Sequence, residues 1–264
     1  MIFDSHCHLD PETYGGDAAV DSVVATAKAA GVERMLTVGS GYGEGTAGRA
    51  VEVANRHPGV VWASVGVHPH DARFWSQSLE EELRALAGHD CVVAWGEIGL
   101  DFFYDNSPRD VQRRVLKEQI SVGLELGLPL IIHDRDSENE TFRILCETGA
   151  FEGKAVLYHC FAGDPLHMAQ IVDAGGYISI PGSVTWRKTA VTQEVAKVVP
   201  LERLLVETDS PFLTPEPLRG RRNEPCHVAL TLDRIAEIRD ISPATLAAAT
   251  TANACRVFGL EQPA

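Results

Sequence analysis

Short runs rich in aliphatic and β-branched residues alternate with longer runs whose apolar positions recur at helical spacing, almost from end to end. Strands are predicted over residues 1–6, 34–38, 60–67, 92–98, 130–133, 155–159, 177–180 and 204–207. Helices are predicted between them, among others over 20–30, 79–87, 111–126, 141–147 and 166–174. Gly31, Gly127, Gly149 and Gly175 follow four of these helices, where a left-handed residue commonly closes the last turn. Parallel strands need crossover connections, so eight repeats of strand and helix predict a single, slightly distorted (β/α)8 barrel of the TIM type. An open doubly wound sheet is the runner-up. The last helices, 228–237 and 243–258, are expected to complete the outer layer, the second as an extra C-terminal helix. No linker or low-complexity tract divides the chain, so residues 1–264 are expected to form one domain.

Composition narrows the function. The formal net charge of -14 argues against broad electrostatic adhesion to nucleic acid or anionic lipid, so a polyanionic substrate must be held locally, by metal ions and a few arginines. No apolar run approaches the roughly 20 residues that span a bilayer. Six cysteines without a CxxC pair, and no charged-then-apolar leader, predict reduced thiols and a cytoplasmic protein.

The ionisable residues fall at the downstream ends of the strands. His6 and His8 follow the first, His68 and His70 the third, Glu97 and Asp101 the fourth, His133 the fifth, His159 the sixth, and Glu207 with Asp209 the eighth. In a barrel those ends share one face, so residues two hundred positions apart can meet there. His6 and His8 sit at i and i+2 of an extended segment and point the same way, while Ser5 and Cys7 turn aside. Four imidazoles (His6, His8, His133, His159) and two carboxylates (Glu97, Asp209) can hold two divalent ions, with Glu97 the natural bridge because it comes from the middle of the strand order.

Several motifs carry a family likeness: DSHCH (4–8), GVHPH (66–70), GEIGLDF (96–102), PLIIHDRD (129–136), YHCFAG (158–163), ETDSPFLTP (207–215), RGRRNEP (219–225) and NACRVFGL (253–260). With these the chain resembles the TatD-type metal-dependent deoxyribonucleases, a branch of the amidohydrolase-like barrels. The resemblance implies that His6, His8 and Asp209 bind one metal, His133 and His159 the other, and Glu97 both. The metals would be Mg2+, Mn2+ or Zn2+. It implies a hydrolase cleaving phosphodiester bonds of DNA, single-stranded or at ends, as a 3′-5′ exonuclease, with Asp209 and Glu97 as the catalytic residues and a monomer as the working form.

Arg135, two residues past His133, and Arg222, in a basic run with Arg219 and Arg221, are candidates for phosphate contacts, and His68 for a contact to phosphate or to a metal ligand. Asp101 is expected either to orient a ligand histidine or to cap the turn after its strand. The run Phe102, Phe103 and Tyr104 either packs or presents ring faces to unpaired bases. Other functions compete with the nuclease reading. The same centre can hydrolyse a small ester, lactone or amide, or an aminoacylated RNA, and a non-enzymatic metal-dependent binding protein is the remaining class.

Overall fold

The computed structural model describes residues 1–40, 45–137 and 139–262. Eight strands, β1 (Ile2–Cys7), β2 (Val32–Gly39), β3 (Val61–Val65), β4 (Val92–Asp101), β5 (Leu130–Arg135), β6 (Val156–Tyr158), β7 (Tyr177–Ile180) and β8 (Leu204–Val206), lie in one sheet in sequence order. Every neighbouring pair is parallel. Helices α1 (Pro11–Tyr14) and α2 (Asp17–Ala29) cross from β1 to β2, and each later crossover carries one: α3 (Thr46–Arg56), α4 (Gln77–Leu86), α5 (Arg109–Leu126), α6 (Glu140–Glu147), α7 (Pro165–Asp173) and α8 (Ala190–Val198). Helices α9 (Val228–Arg239) and α10 (Pro243–Phe258) end the chain. The sheet closes on itself just past β8. Cys7 bridges to Ser210, the His8 N–H donates to Ser210 O at 2.8 Å, and the Asp209 N–H donates to His6 O at 2.9 Å. The distorted barrel is therefore the fold, and the open sheet is excluded.

Two apolar layers hold it. One lies between the sheet and the crossover helices, and includes Val20, Val24, Val53, Leu83, Leu116, Ile120, Ile144 and Ile171. The second joins Phe3, Leu36, Ala94, Ile131, Leu157, Tyr177 and Leu205 to Ala254, Val257 and Phe258 of α10. One helix cannot touch the outer faces of strands from all round a barrel, so this cluster lies in the lumen. Phe3, Ala94, Ile131 and Tyr177 come early in their strands, and α10 therefore plugs the base of the barrel, with Phe258 against Phe3 at 5.7 Å between rings. The sequence places α10 in the outer layer; its apolar stripe is evident there, but not the surface that buries it. Asn253 fixes the plug by donating to the carbonyls of Leu201 and Leu204, each at 2.8 Å.

The opposite rim carries the polar strand ends, and three strands differ there from expectation. β3 stops at Val65, because the Gln119 side chain bonds both the N–H and the carbonyl of Val67, at 2.8 and 2.9 Å. β4 continues to Asp101, well past Ile98, and β5 to Arg135. A register shift between Gly96 and Ile98 keeps these two paired through Asp101 opposite Arg135. Such a bulge re-aims the residue inside it, which here is Glu97. Glycine is required on both sides. Gly96 and Gly99 have φ of 147° and 155°, and a Cβ on Gly99 would stand 1.8 Å from His133 O.

Candidate metal centre and active site

Glu97 is 2% exposed and sits at the middle of the rim. Its Oε1 lies 2.7 Å from His159 Nε2, 2.8 Å from His133 Nδ1 and 3.4 Å from His68 Nε2. Its Oε2 faces the other way, 3.5 Å from His6 Nε2. Asp209 completes that second side, with Oδ1 at 3.3 Å from His8 Nε2 and 3.8 Å from His6 Nε2. The loop after β8 presents this carboxylate through a left-handed backbone, φ 53°, that its own N–H bond to His6 O secures. The six residues singled out in the sequence thus meet, and the two oxygens of one carboxylate divide them into two sets.

The donor set suits a divalent cation. Ligand atoms of His6, His8 and Glu97 lie within 4.8 Å of one another, and the same holds for His68, Glu97 and His133 and for His6, His159 and Glu207. Both nitrogens of His6 and the Nδ1 of His159 are buried without a hydrogen-bond partner among the described residues. A buried imidazole left without a partner costs desolvation that a metal ion would recover. The His6 and His159 rings stack at 3.9 Å, which a shared positive charge would oppose.

The electrostatics follow from the same contacts. Burial alone would raise the Glu97 carboxyl, but His159, His68 and the hydrogen bonds from His133 and His159 outweigh it and hold the group well below the usual carboxylate range. Burial likewise works against ionisation of Asp209, and the His8 bond with the nearby imidazoles overcomes it. Burial disfavours charge on His8, His133 and His159, yet Asp209 raises the first, Asp101 and Glu97 the second, and Glu97 with Glu207 the third well above the ordinary value. His68 goes the other way: burial pushes it down to about 4, leaving it neutral near pH 7.

A second ring of contacts positions the first. Asp101 does both things that its place in the sequence suggested. Its Oδ2 takes His133 Nε2 at 3.1 Å and His70 Nε2 at 3.0 Å, and its Oδ1 accepts the amides of Phe103 and Tyr104 at 3.1 and 2.9 Å. Glu207 accepts the Cys160 N–H and stands 3.6 Å from His159 Nδ1, an orienting place for the carboxylate that is not Asp209. Ser40 Oγ accepts the Glu97 N–H at 3.1 Å. His70 and Ser40 received no role from the sequence. The i and i+2 pair in GVHPH is a signal for His70; nothing local marks Ser40.

The thiols stay out of the site. Cys7 turns its Sγ to Leu36 O at 3.2 Å, and burial followed by nearby carboxylates pushes Cys7 and Cys160 well above the usual thiol range. Arg135 is exposed at the end of β5, two residues beyond His133. Arg222 is not brought in with the others. It lies over Tyr14 at 4.6 Å and pairs with Glu224 at 3.5 Å, while Arg219 lies over Trp186 at 4.4 Å.

A closed barrel whose strand ends converge clustered imidazoles on a buried carboxylate is the architecture of metal-dependent barrel hydrolases. The model of the TatD-related DNases matches residues 3–259, and the chain belongs to that family, as a metal-dependent hydrolase acting on ester bonds. It is 40% identical to the uncharacterized metal-dependent hydrolase YabD of Bacillus subtilis, over 98% of this chain and 99% of that one. It is 38% identical to the 3′-5′ ssDNA/RNA exonuclease TatD of Salmonella typhimurium, over 97% and 98%. The crystal structure of YJJV, a TatD homolog from Escherichia coli, superposes with a TM-score of 0.89 at 27% identity, over 98% of each chain.

Proposed function

We propose that the whole chain, residues 1–264, is one domain that shortens single-stranded DNA from its 3′ end as a monomer in the cytoplasm. His6, His8, Asp209 and Glu97 would hold one divalent ion, and Glu97, His133 and His159 a second, each Mg2+, Mn2+ or Zn2+. The observation that carries this reading is the division of Glu97, with Oε2 towards His6 and Oε1 towards His133 and His159. Bound there, a pair of cations supplies an acidified water, a neutralised phosphate oxygen and a stabilised leaving oxygen.

The chain's own residues do the rest. Asp209, with 14% of its side chain exposed, faces the opening, and its depressed pKa keeps it ionised. It accepts the attacking water's proton and returns it towards the leaving oxygen. Glu97, almost fully buried, stays a carboxylate and keeps both ligand sets in register. His68 Nδ1 accepts the His70 N–H at 3.1 Å, so its one N–H is on Nε2, 3.4 Å from Glu97 Oε1, where a phosphate oxygen would share it with that carboxylate. Arg135 supplies the cation nearest the His133 side, and Arg222 a more distant one on the rim. The full-length likeness to a named exonuclease supports the substrate class.

The test is a 5′-labelled single-stranded oligonucleotide given to metal-stripped and metal-reconstituted protein, beside a duplex and a panel of esters, lactones and amides. A metal-dependent ladder of stepwise shorter products is expected. Immediate release of labelled mononucleotide would reverse the polarity, and turnover confined to the small substrates would overturn the nuclease reading.

A further inference from the structure

The large aromatic side chains that stand exposed, among the described residues, all lie in loops that follow strands on the polar rim: Phe74 after β3, Phe103 and Tyr104 after β4, and Phe212 after β8. Exposing large rings to water is unfavourable, and their concentration around one opening calls for a function. Phe103 and Tyr104 are the most organised of them. They are 56% and 54% exposed, while the preceding Phe102 is buried. Their rings meet edge to face at 4.8 Å, and Tyr104 abuts His70 at 5.5 Å. Arg135 lies over both, its guanidinium carbon 4.1 Å from the Phe103 ring centre and 4.8 Å from that of Tyr104. Among the described residues Arg135 makes no salt bridge, so its planar cation is spread on aromatic faces instead.

The shelf is fixed relative to the centre through one residue. Asp101 caps the turn with Oδ1 on the Phe103 and Tyr104 amides, and holds His133 and His70 with Oδ2. Arg109 braces the same turn, donating to Phe102 O at 2.9 Å and to Asp105 at 2.7 Å. From below, Arg135 leaves β5 on the same face as His133. Two rings and a guanidinium, tied to a metal-facing histidine and open to solvent, match the needs of a flat, neutral, unpaired ring next to a phosphate. Aromatic and guanidinium faces hold any base through its π face, and a base inside a duplex has none to offer.

We propose that Phe103, Tyr104 and Arg135 form a stacking subsite for an unpaired nucleobase beside the scissile phosphate, and that this subsite makes the enzyme select single strands without reading their sequence. The proposal rests on the nuclease reading and adds to it a particular contact. Arg135 then acts through its flat face as well as its charge.

The experiment compares wild type with the Phe103→Ala, Tyr104→Ala double variant, both metal-loaded, on a single-stranded oligonucleotide and on the same oligonucleotide made abasic at its 3′-terminal nucleotides. Stacking of about 1–3 kcal/mol per base predicts a loss in kcat/KM of roughly 5- to 150-fold on the intact strand, carried by KM. Removing the bases should cost the wild type a similar factor, and removing bases and rings together should cost no more than either alone. Replacing both rings by Trp should restore the intact-strand rate, and replacing both by Leu should not. An intact-strand kcat/KM within about twofold of wild type, or an equal loss on the abasic strand, overturns the subsite. A wild type that cuts neither strand overturns the nuclease reading itself, which is a different failure.

Discussion

Replacing Gly99 by Ala tests whether the bulge of β4 is what builds the centre. The new Cβ would stand 1.8 Å from His133 O and 2.7 Å from its carbonyl carbon, where about 3.2 Å is the closest a methyl group tolerates. One strand must move by roughly 1.4 Å, and the obstacle is backbone rather than a side chain that can swing aside. The φ of 155° adds strain of about 1–3 kcal/mol for any residue with a Cβ. Together these give a loss of about 3–5 kcal/mol, a large share of the 5–15 kcal/mol typical of a domain, and a fall in melting temperature of roughly 6–20 °C. The control is Gly127→Ala at the end of α5, where φ is 65° and a Cβ meets nothing within 4 Å; strain alone predicts about 1 kcal/mol there. The two variants should also separate in metal binding. Moving His133 would spoil the ligand set proposed for a second ion, so calorimetric titration with Mn2+ should show that site weakened by about 10- to 100-fold in the first variant and unchanged in the control. Equal melting temperatures and equal metal titrations for the two variants would show that the bulge of β4 does not build the centre.

Asp101→Asn keeps an oxygen for the Phe103 and Tyr104 amides but loses the carboxylate that His133 and His70 share, so chelator competition should read a metal affinity lower by about 10- to 100-fold with melting nearly unchanged. Unaltered affinity would remove Asp101 from the site. Phe258→Ala empties the plug at the base of the barrel and should cost about 3–5 kcal/mol in urea unfolding while sparing kcat at 25 °C, because the plug and the centre lie at opposite ends. A loss below about 1 kcal/mol would return α10 to the outer layer.

The barrel was legible because its strands and helices alternate with different apolar periods, and the six polar residues because they recur at one end of successive strands. Helix α3 was harder to see. Its buried face is built from Ala47, Ala50 and Ala54 with Val51 and Val53, so the segment holds few large apolar residues although Arg49, Glu52 and Arg56 set that face off clearly. Helix α8 buries only Val195 and Ala196. The true end of β4 was hidden for another reason: the predicted strand runs through Gly96 but stops before Gly99, a residue that weakens a strand pattern, although here both glycines let two backbones approach. His6 and His8 are related by local geometry that sequence spacing states outright. The meeting of His133 with Asp101 depends on the shifted register between β4 and β5, and that of Phe258 with Phe3 on how α10 packs under the barrel, and no spacing records either. Residues 222 and 135 illustrate the limit for charge. Both are arginines near predicted site motifs, but one is paired with Glu224 and the other lies on an aromatic shelf.

The central claim is that one buried carboxylate divides two ligand sets, and anomalous scattering from crystals grown with Mn2+ tests it most directly. Two peaks about 3.5–4 Å apart are expected astride Glu97, one beside His6, His8 and Asp209 and the other beside His133 and His159. A single peak, or peaks away from Glu97, would contradict it.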